Sequence, residues 1–319
     1  MRVVVTGAAG FIGSHLSEYM LAAGHELVGV DGFTPFYGRD AKEANLEGPL
    51  SHDDFSFVEA DLRSADLSEI VRDADVIVHL AAQPGVRHSW GDQFEVYTGH
   101  NLVATQRVLE AAVVAGVPRL VFASSSSIYG SAETMPTPED VRPKPISPYG
   151  VTKLAGESLL HAYSHYGLST AALRYFTVYG PRQRPDMAIR RFLTSAMTGA
   201  SVPLFGTGEQ RRDFTFVSDI VAATAAIAEG DMEGPFNIGG TNPVSLNELF
   251  DTISDVLGRQ VNIDRQPALT GDPPSTSSCV QRARDAFGYE PKVGLTEGLT
   301  AAADWLEDVL IRDAEVSSV

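Results

Sequence analysis

Cysteine occurs once in this chain, at Cys279, so no intrachain disulfide can brace it, and no pair or quartet of Cys and His falls at metal-ligand spacing. No metal centre is expected, and a reducing, cytoplasmic setting is. No apolar run approaches the roughly 18 residues of a membrane span. The sequence opens on a strand-like apolar run and a glycine turn, without the cationic start and small-residue cleavage site of a signal peptide. Positive charge is scarce: 24 Lys and Arg stand against 41 Asp and Glu, a formal net charge of −17. Such a field repels nucleic acid and acidic membranes, so neither is expected as a partner. An anionic ligand therefore needs a local arginine cluster. Arg182/Arg184, Arg190/Arg191 and Arg211/Arg212 are candidates, the alternative for each being a solvated surface residue. Internal repeats and low-complexity tracts are lacking too. What is present is a 319-residue chain, 44% hydrophobic and 20% charged, long enough for one large or two modest domains.

The first thirty residues alternate in a way that gives their glycines meaning. An apolar strand from Arg2 runs into Gly7, Gly10 and Gly13, a helix follows until Gly24, and a second strand, Glu26 to Val30, ends at Asp31. In a dinucleotide fingerprint the first glycine makes the tight turn, the second admits a pyrophosphate, and the third lets helix and strand pack closely. The helix N-terminus offers unpaired N–H groups to the phosphates. Asp31 stands where a carboxylate accepts hydrogen bonds from an adenosine ribose. It would repel a 2′-phosphate, which favours NAD over NADP.

Residues 34–54 read as a loop. Phe55 to Leu62 reads as the third strand, with Asp61 at its end, and Ala74 to Ala82 as the fourth, closing on small residues. His79, inside that apolar strand, reads as a packed structural histidine. Gln83-Pro84-Gly85-Val86-Arg87 follows at the same end of the sheet, and Arg87 could reach a substrate or cap a loop. Asn101 to Ala115 has helical spacing and stops at Gly116. The fifth strand, Arg119 to Ala123, delivers Ser124 to Ser127. Ligands of open parallel sheets bind beyond the carboxyl ends of the strands, where all these residues converge.

Ser147-Pro-Tyr-Gly-Val-Thr-Lys153 then opens a helix that reads through to Tyr166 and ends at Gly167. Lys153 lies one turn from Tyr149 on the same face. A lysine close to a phenol favours the phenolate, so a group that titrates near about 10 could serve as a base near neutrality. After the strand Ser169 to Tyr175, Arg, Pro and Gly become frequent and strand–helix alternation loosens, which marks a domain boundary. Residues 1–176 are expected to form a nucleotide-binding domain, with 213–240 returning to it, and 177–212 plus 241–319 a smaller substrate domain. Within the latter, Ile189 to Met197, Leu246 to Leu257 and Leu295 to Ile311 read as helices, and 202–217 as hairpin-like pieces.

Taken together, Thr6-Gly-Ala-Ala-Gly-Phe-Ile-Gly13, Asp61-Leu62, His79-Leu-Ala-Ala82, the serine strand, Tyr149-x-x-x-Lys153, Arg174-Tyr-Phe-Thr-Val-Tyr-Gly-Pro181 and Arg212-Asp-Phe-Thr-Phe-Val-x-Asp219 resemble the extended short-chain dehydrogenase/reductase family, and within it the nucleotide-sugar 4-epimerases. The resemblance runs nearly end to end. It implies an α/β fold: a Rossmann-type doubly wound parallel sheet with a smaller C-terminal substrate-binding α/β domain, in a homodimer joined through the helices near 101–115 and 149–166. It implies bound NAD, with Tyr149 as proton acceptor, Lys153 on the nicotinamide ribose and Ser125 on the reacting hydroxyl. The implied cofactor set is Gly7, Gly10, Phe11, Ile12, Gly13, Asp31 and Asp61, then Leu62, Leu80, Ala81, Ala82 and Asn101. Arg212 and Asp272 would hold the nucleotide diphosphate and its ribose, with Pro203 to Phe205 beside the base. Pro84, Arg87 and Arg184 complete the implied substrate set. The chain departs from the pattern at Cys279, where the family usually has Asp, and at Leu269, where many glucose epimerases carry a diphosphate-binding arginine.

Two positions narrow the sugar. A 4,6-dehydratase of this family needs an Asp-Glu pair directly after the residue matching Ser125, and here those positions are Ser126 and Ser127. With Thr177, these hydroxyls suit a carboxylate at C6, since each can donate one hydrogen bond to an acceptor-only group. The runs Phe176 to Pro181 and Arg184 to Met187 resemble UDP-glucuronate 4-epimerases. The alternatives are a UDP-glucose or UDP-N-acetylhexosamine 4-epimerase, a uronate decarboxylase, and a noncatalytic NAD-binding sensor; sensor relatives typically lose the Tyr or Lys that this chain retains.

Overall fold

The strand–helix alternation of the first half is built as the sequence implies. In chain order come β1 (Arg2–Thr6), α1 (Phe11–Ala22), β2 (Glu26–Asp31), α2 (Arg39–Leu50), β3 (Phe55–Glu59), β4 (Val76–His79), the short α3 (Phe94–Tyr97), α4 (Ala104–Ala115), β5 (Arg119–Ser125), α5 (Pro148–Ser164) and β6 (Ser169–Tyr175). The second half holds β7 (Thr177–Tyr179), α6 (Ala188–Thr198), β8 (Ser201–Phe205), β9 (Arg211–Arg212), β10 (Phe214–Phe216), α7 (Val217–Glu229), β11 (Gly234–Ile238), β12 (Val244–Ser245), α8 (Leu246–Leu257), β13 (Asn262–Gln266), α9 (Gln281–Phe287) and α10 (Leu295–Ser317). This computed structural model describes residues 1–267 and 275–317.

Seven strands form one parallel sheet in the order β11-β6-β5-β4-β1-β2-β3. Val3, Val4 and Val5 are wholly buried, Val3 and Val5 in one core cluster and Val4 in the other, as the pleat requires. Both faces are covered, α1 and α7 packing together and α4 against α5, which is why the strands read as continuous apolar runs. The order reverses between β1 and β4, and the crevice at that reversal is where such sheets take ligands. A third cluster joins α6, α8 and α10 around Leu193, Leu249, Phe250 and Leu306.

Two expectations are corrected. Residues 39–50, read as loop, form α2, whose sole large buried aliphatic side chain is Leu46. Polar tethers hold it instead: Lys42 Nζ donates to Thr34 O (2.9 Å) and Asn45 Nδ2 to Ala9 O (3.0 Å). Apolar periodicity cannot register such a helix. The pieces at 202–217 do not pair with one another. β8 pairs with β13, β9 with β12 and β10 with β7, so the glycine turns at Gly206 and Gly208 separate strands bound for different partners.

Candidate active site

Gly7 has φ +75°, and a Cβ there would lie 2.8 Å from Ala81 N; one on Gly13 would lie 2.1 Å from Gly7 O. Only glycine permits this turn to press against the strand ends, and α1 begins directly after it. The cavity above is lined by Gly7, Gly10, Phe11, Ile12, Gly13, Asp31, Asp61, Leu62, Leu80, Ala81 and Ala82. Asp31 Oδ1 accepts from Phe33 N (2.9 Å); burial raises its pKa, and the nearby Lys42 ammonium is the main opposing influence. The Asp61 carboxylate is gripped by the Arg63 guanidinium (2.6 Å), which draws its pKa down to about 2. A glycine cradle at a helix N-terminus with a carboxylate at the end of the second strand fits a dinucleotide.

Asn101 does not line this cavity. It sits in a π-helical segment, Thr98–Val103, where it accepts from Gln83 N (2.7 Å) and donates to Gln83 O and Thr152 Oγ1 (3.0 Å each). Its side chain is spent tying the loop after β4 to α5. His79 is structural, with Thr6 Oγ1 2.7 Å from one ring nitrogen and Thr105 Oγ1 3.0 Å from the other, and burial pulls its pKa down to about 3.

At the other end of the cavity stands Tyr149, in the first turn of α5. Ser147 Oγ caps that turn by accepting from Gly150 N (3.1 Å), and Pro148 suits the first helical position. Burial pushes the Tyr149 hydroxyl above its ordinary pKa, while a hydrogen bond with Ser125 and the charge of Arg184 act against that rise. Lys153 Nζ donates to Ala123 O (2.7 Å), and burial draws its pKa down to about 7. The expectation that Lys153 depresses Tyr149 therefore differs from the finding: desolvation outweighs any charge effect on both groups. Tyr97 stands edge-on to Tyr149 and donates to Pro84 O and Gly85 O (2.7 Å each).

Ser125 Oγ accepts from Ser127 N (3.1 Å), closing a 3-10 turn over Ser126–Ile128. Ser126, Ser127, Thr177, Pro84 and Arg184 line the cavity with Tyr149. The Arg184 guanidinium lies over Phe36 (5.8 Å) and chelates Asp186 (3.0 and 3.2 Å). Arg87, Pro203, Phe205 and Arg212, also expected at the substrate, lie outside this lining. Arg87 and Phe205 meet, guanidinium over ring at 5.6 Å. Pro203 is in β8, and Arg212 pairs with Val244 in β9 with Nη1 on Arg211 O (2.9 Å). Asp272 and Leu269 lie outside the described residues.

Sequence reasoning missed Phe36, Tyr37 and Lys42, because their segment carried no periodic signal, and also His100 and Met187. Lys42 alone offered a clue, as a cation a short way beyond Asp31. Among the described residues no group of His, Cys, Asp and Glu could hold a metal ion, and no helix is long and apolar enough to cross a membrane.

Residues 3–239 match the model of the NAD dependent epimerase/dehydratase family. A crystal structure of UDP-glucuronic acid 4-epimerase from Bacillus cereus, in complex with UDP-glucuronic acid and NAD, superposes with a TM-score of 0.94 at 37% identity, covering 97% of this chain and 100% of that one. A Bacillus subtilis protein described as an uncharacterised UDP-glucose epimerase is 41% identical over 316 residues, 97% of this chain and 99% of that protein. A UDP-glucuronate 4-epimerase of Thermodesulfobacterium geofontis is 33% identical over 311 residues, 96% of each chain.

Proposed function

The chain belongs to the NAD-dependent epimerase/dehydratase family, and from that premise we propose that it interconverts UDP-glucuronate and UDP-galacturonate at C4 through a 4-keto intermediate. The observation that carries the choice of sugar is the hydroxyl wall of Ser126, Ser127 and Thr177 at the tyrosine end of the cavity. A carboxylate gains more there than a neutral CH2OH, because charge-assisted hydrogen bonds are about twice as strong. The acidic side chains lining the cavity are Asp31 and Asp61. β2 lies three strands from β5, roughly 14 Å. No carboxyl group among the lining residues therefore stands beside Tyr149 to expel a sugar hydroxyl, which argues against dehydration.

The glycine cradle and Asp31 would hold NAD, which would supply the reversible hydride acceptor for C4. The chain's own side chains supply the rest. Tyr149 Oη takes the C4 hydroxyl proton as the carbonyl forms and returns it when the carbonyl is reduced. Ser125 holds that hydroxyl, and with Arg184 it favours the phenolate against the cost of burial. Lys153, anchored on Ala123 O, has further N–H bonds for the nicotinamide ribose. The 4-keto uronate is a β-keto acid, which loses CO2 most readily when the bond to the carboxylate stands perpendicular to the carbonyl plane. Ser126, Ser127 and Thr177 would hold that bond away from alignment as the ketone forms, before the sugar turns about its phosphate linkage.

Thr177→Val combined with Ser127→Ala is expected to slow epimerisation and release UDP-pentose. Intact epimerisation with no UDP-pentose would sink the clamp. The name of the Bacillus subtilis relative favours a second reading, a UDP-glucose 4-epimerase. Incubation with UDP-glucuronate, UDP-glucose and UDP-xylose, followed by separation of the products, decides between them. Faster conversion of UDP-glucose replaces the uronate reading. UDP-pentose from the unaltered protein indicates a decarboxylase, and conversion of none with NAD still bound indicates a sensor.

A further inference from the structure

A buried chain of hydrogen bonds leaves the serine strand and crosses the molecule. Ser124, beside Ser125, donates its hydroxyl to Glu157. Glu157 stands one turn after Lys153 on α5 and grips Arg174 of β6 with both carboxylate oxygens (3.0 and 2.7 Å). Arg174 donates onward to Tyr129 Oη (2.8 Å) and Glu139 O (2.9 Å). Tyr129 Oη donates to Asn237 Oδ1 (2.8 Å), and Asn237 Nδ2 reaches Cys279 O (3.1 Å). The strap at 275–279 in turn rests on the strand that carries Arg212. Thr276 N donates to Arg211 O (3.1 Å), and Ser278 N to Asp213 Oδ2 (2.8 Å).

Stability does not account for this arrangement. The Arg174 and Glu157 side chains are 6% and 12% exposed, and a buried ion pair is often no better for stability than apolar residues of the same volume. What a saturated buried network does is hold one geometry, because each donor is spent in a single arrangement. The geometry it holds here can be named. Ser124 and Arg174 are partners across β5 and β6, and Lys153 pins the carbonyl of Ala123. Both residues preceding Ser125 are thus fastened to α5, whose first turn carries Tyr149.

We propose that Ser124, Glu157, Arg174 and Tyr129 are positioning residues for the oxidation at C4: their hydrogen bonds set the end of β5, and with it Ser125, against Tyr149, and tie that setting to the strap beside Arg212. The inference rests on the epimerase reading, with Ser125 and Tyr149 at the reacting carbon.

Ser124→Ala and Tyr129→Phe each delete one hydroxyl on either side of the Glu157–Arg174 pair and leave the pair in place. A misplacement of about 1 Å can cost a reaction about 100-fold, so a partial shift should lower kcat about 10-fold in each variant. The KM for the UDP-sugar should change less than about 2-fold, with bound NAD retained and Tm within a few degrees. Because both hydroxyls act through one pair, the double variant should lose about 20-fold, well short of the about 100-fold expected of independent sites. Multiplicative losses would overturn the proposal. So would kcat within about 2-fold of the parent in both single variants, or losses that track NAD release or a collapse in Tm. If Tyr129→Phe does not fold, Ser124→Ala alone supplies the kcat, KM and NAD readings, and Ser124→Thr, which keeps the hydroxyl to Glu157, should restore kcat. Failure of the epimerase reading looks different: the unaltered protein converts no UDP-sugar, or Tyr149→Phe still epimerises.

Discussion

Lys153 is drawn to about pH 7 by burial alone, so the free chain carries an unusual lysine at its centre. An unfolded lysine titrates near about 10.4. Between the two values the unfolded chain binds a proton that the folded chain does not, so this group makes stability rise with pH across that window. Below about 7 both states are protonated and the penalty is constant. In protein stripped of NAD, the Tm of Lys153→Met minus that of the parent should therefore grow as pH falls from about 10 to about 7 and then level off. A difference that stays flat from about pH 6 to about pH 10 would remove the argument. The spacing of Tyr149, Lys153 and Ser125 was legible in the sequence; the directions of the Tyr149 and Lys153 pKa shifts were not. A Tyr-x-x-x-Lys pattern gives proximity on one helix face, but the burial that dominates both groups comes from other elements, such as Phe122 of β5 beside Lys153 and Tyr97 of α3 against Tyr149. Asn101 shows the same limit: it was assigned to the cofactor, yet its amide is spent on Gln83 and Thr152.

Elements with apolar faces were read correctly, because burial against the sheet imposes a period on their sequence. The stretch at 246–257 gives α8, whose start carries a Ser245/Glu248 capping box, and 119–125 gives a strand buried along nearly its whole length. α2 escaped because its attachments are polar. The short strands after Tyr175 were glimpsed as extended pieces, but their partners lie far along the chain, which no local turn signal reveals. α5 allows a direct test of local sequence at this scale. Ser147 Oγ satisfies the N–H of Gly150 at the turn that presents Tyr149. Ser147→Ala should cost about 1 kcal/mol, and thermal unfolding should move down by about 1–2 °C. An unchanged midpoint would show that another group caps the helix.

The whole molecule combines a strongly acidic charge with exposed apolar side chains on and beside α4 and α5. Val103, Val114, Val151 and Tyr166 are 47%, 79%, 47% and 75% exposed there. Like charge opposes self-association, but at physiological salt it is screened beyond about 8 Å, whereas apolar contact is not. A homodimer through the helices near 101–115 and 149–166, the arrangement expected from the resemblance to nucleotide-sugar epimerases, would cover these side chains. A standard interface takes about 800 Å² from each partner, and two helices side by side can supply that. Light scattering on the eluting protein should then give twice the 34.2 kDa chain mass, with dissociation favoured by low salt, where the −17 charge is least screened. Val114→Glu with Val151→Glu should weaken the dimer about 10-fold or more, because each buries a carboxylate without a partner. The catalytic cavity lies at the strand ends and not on this surface, so monomers released by those substitutions should keep their bound NAD. A parent protein of single-chain mass at every salt concentration would contradict the dimer, and loss of NAD with dissociation would show that the second copy completes the site.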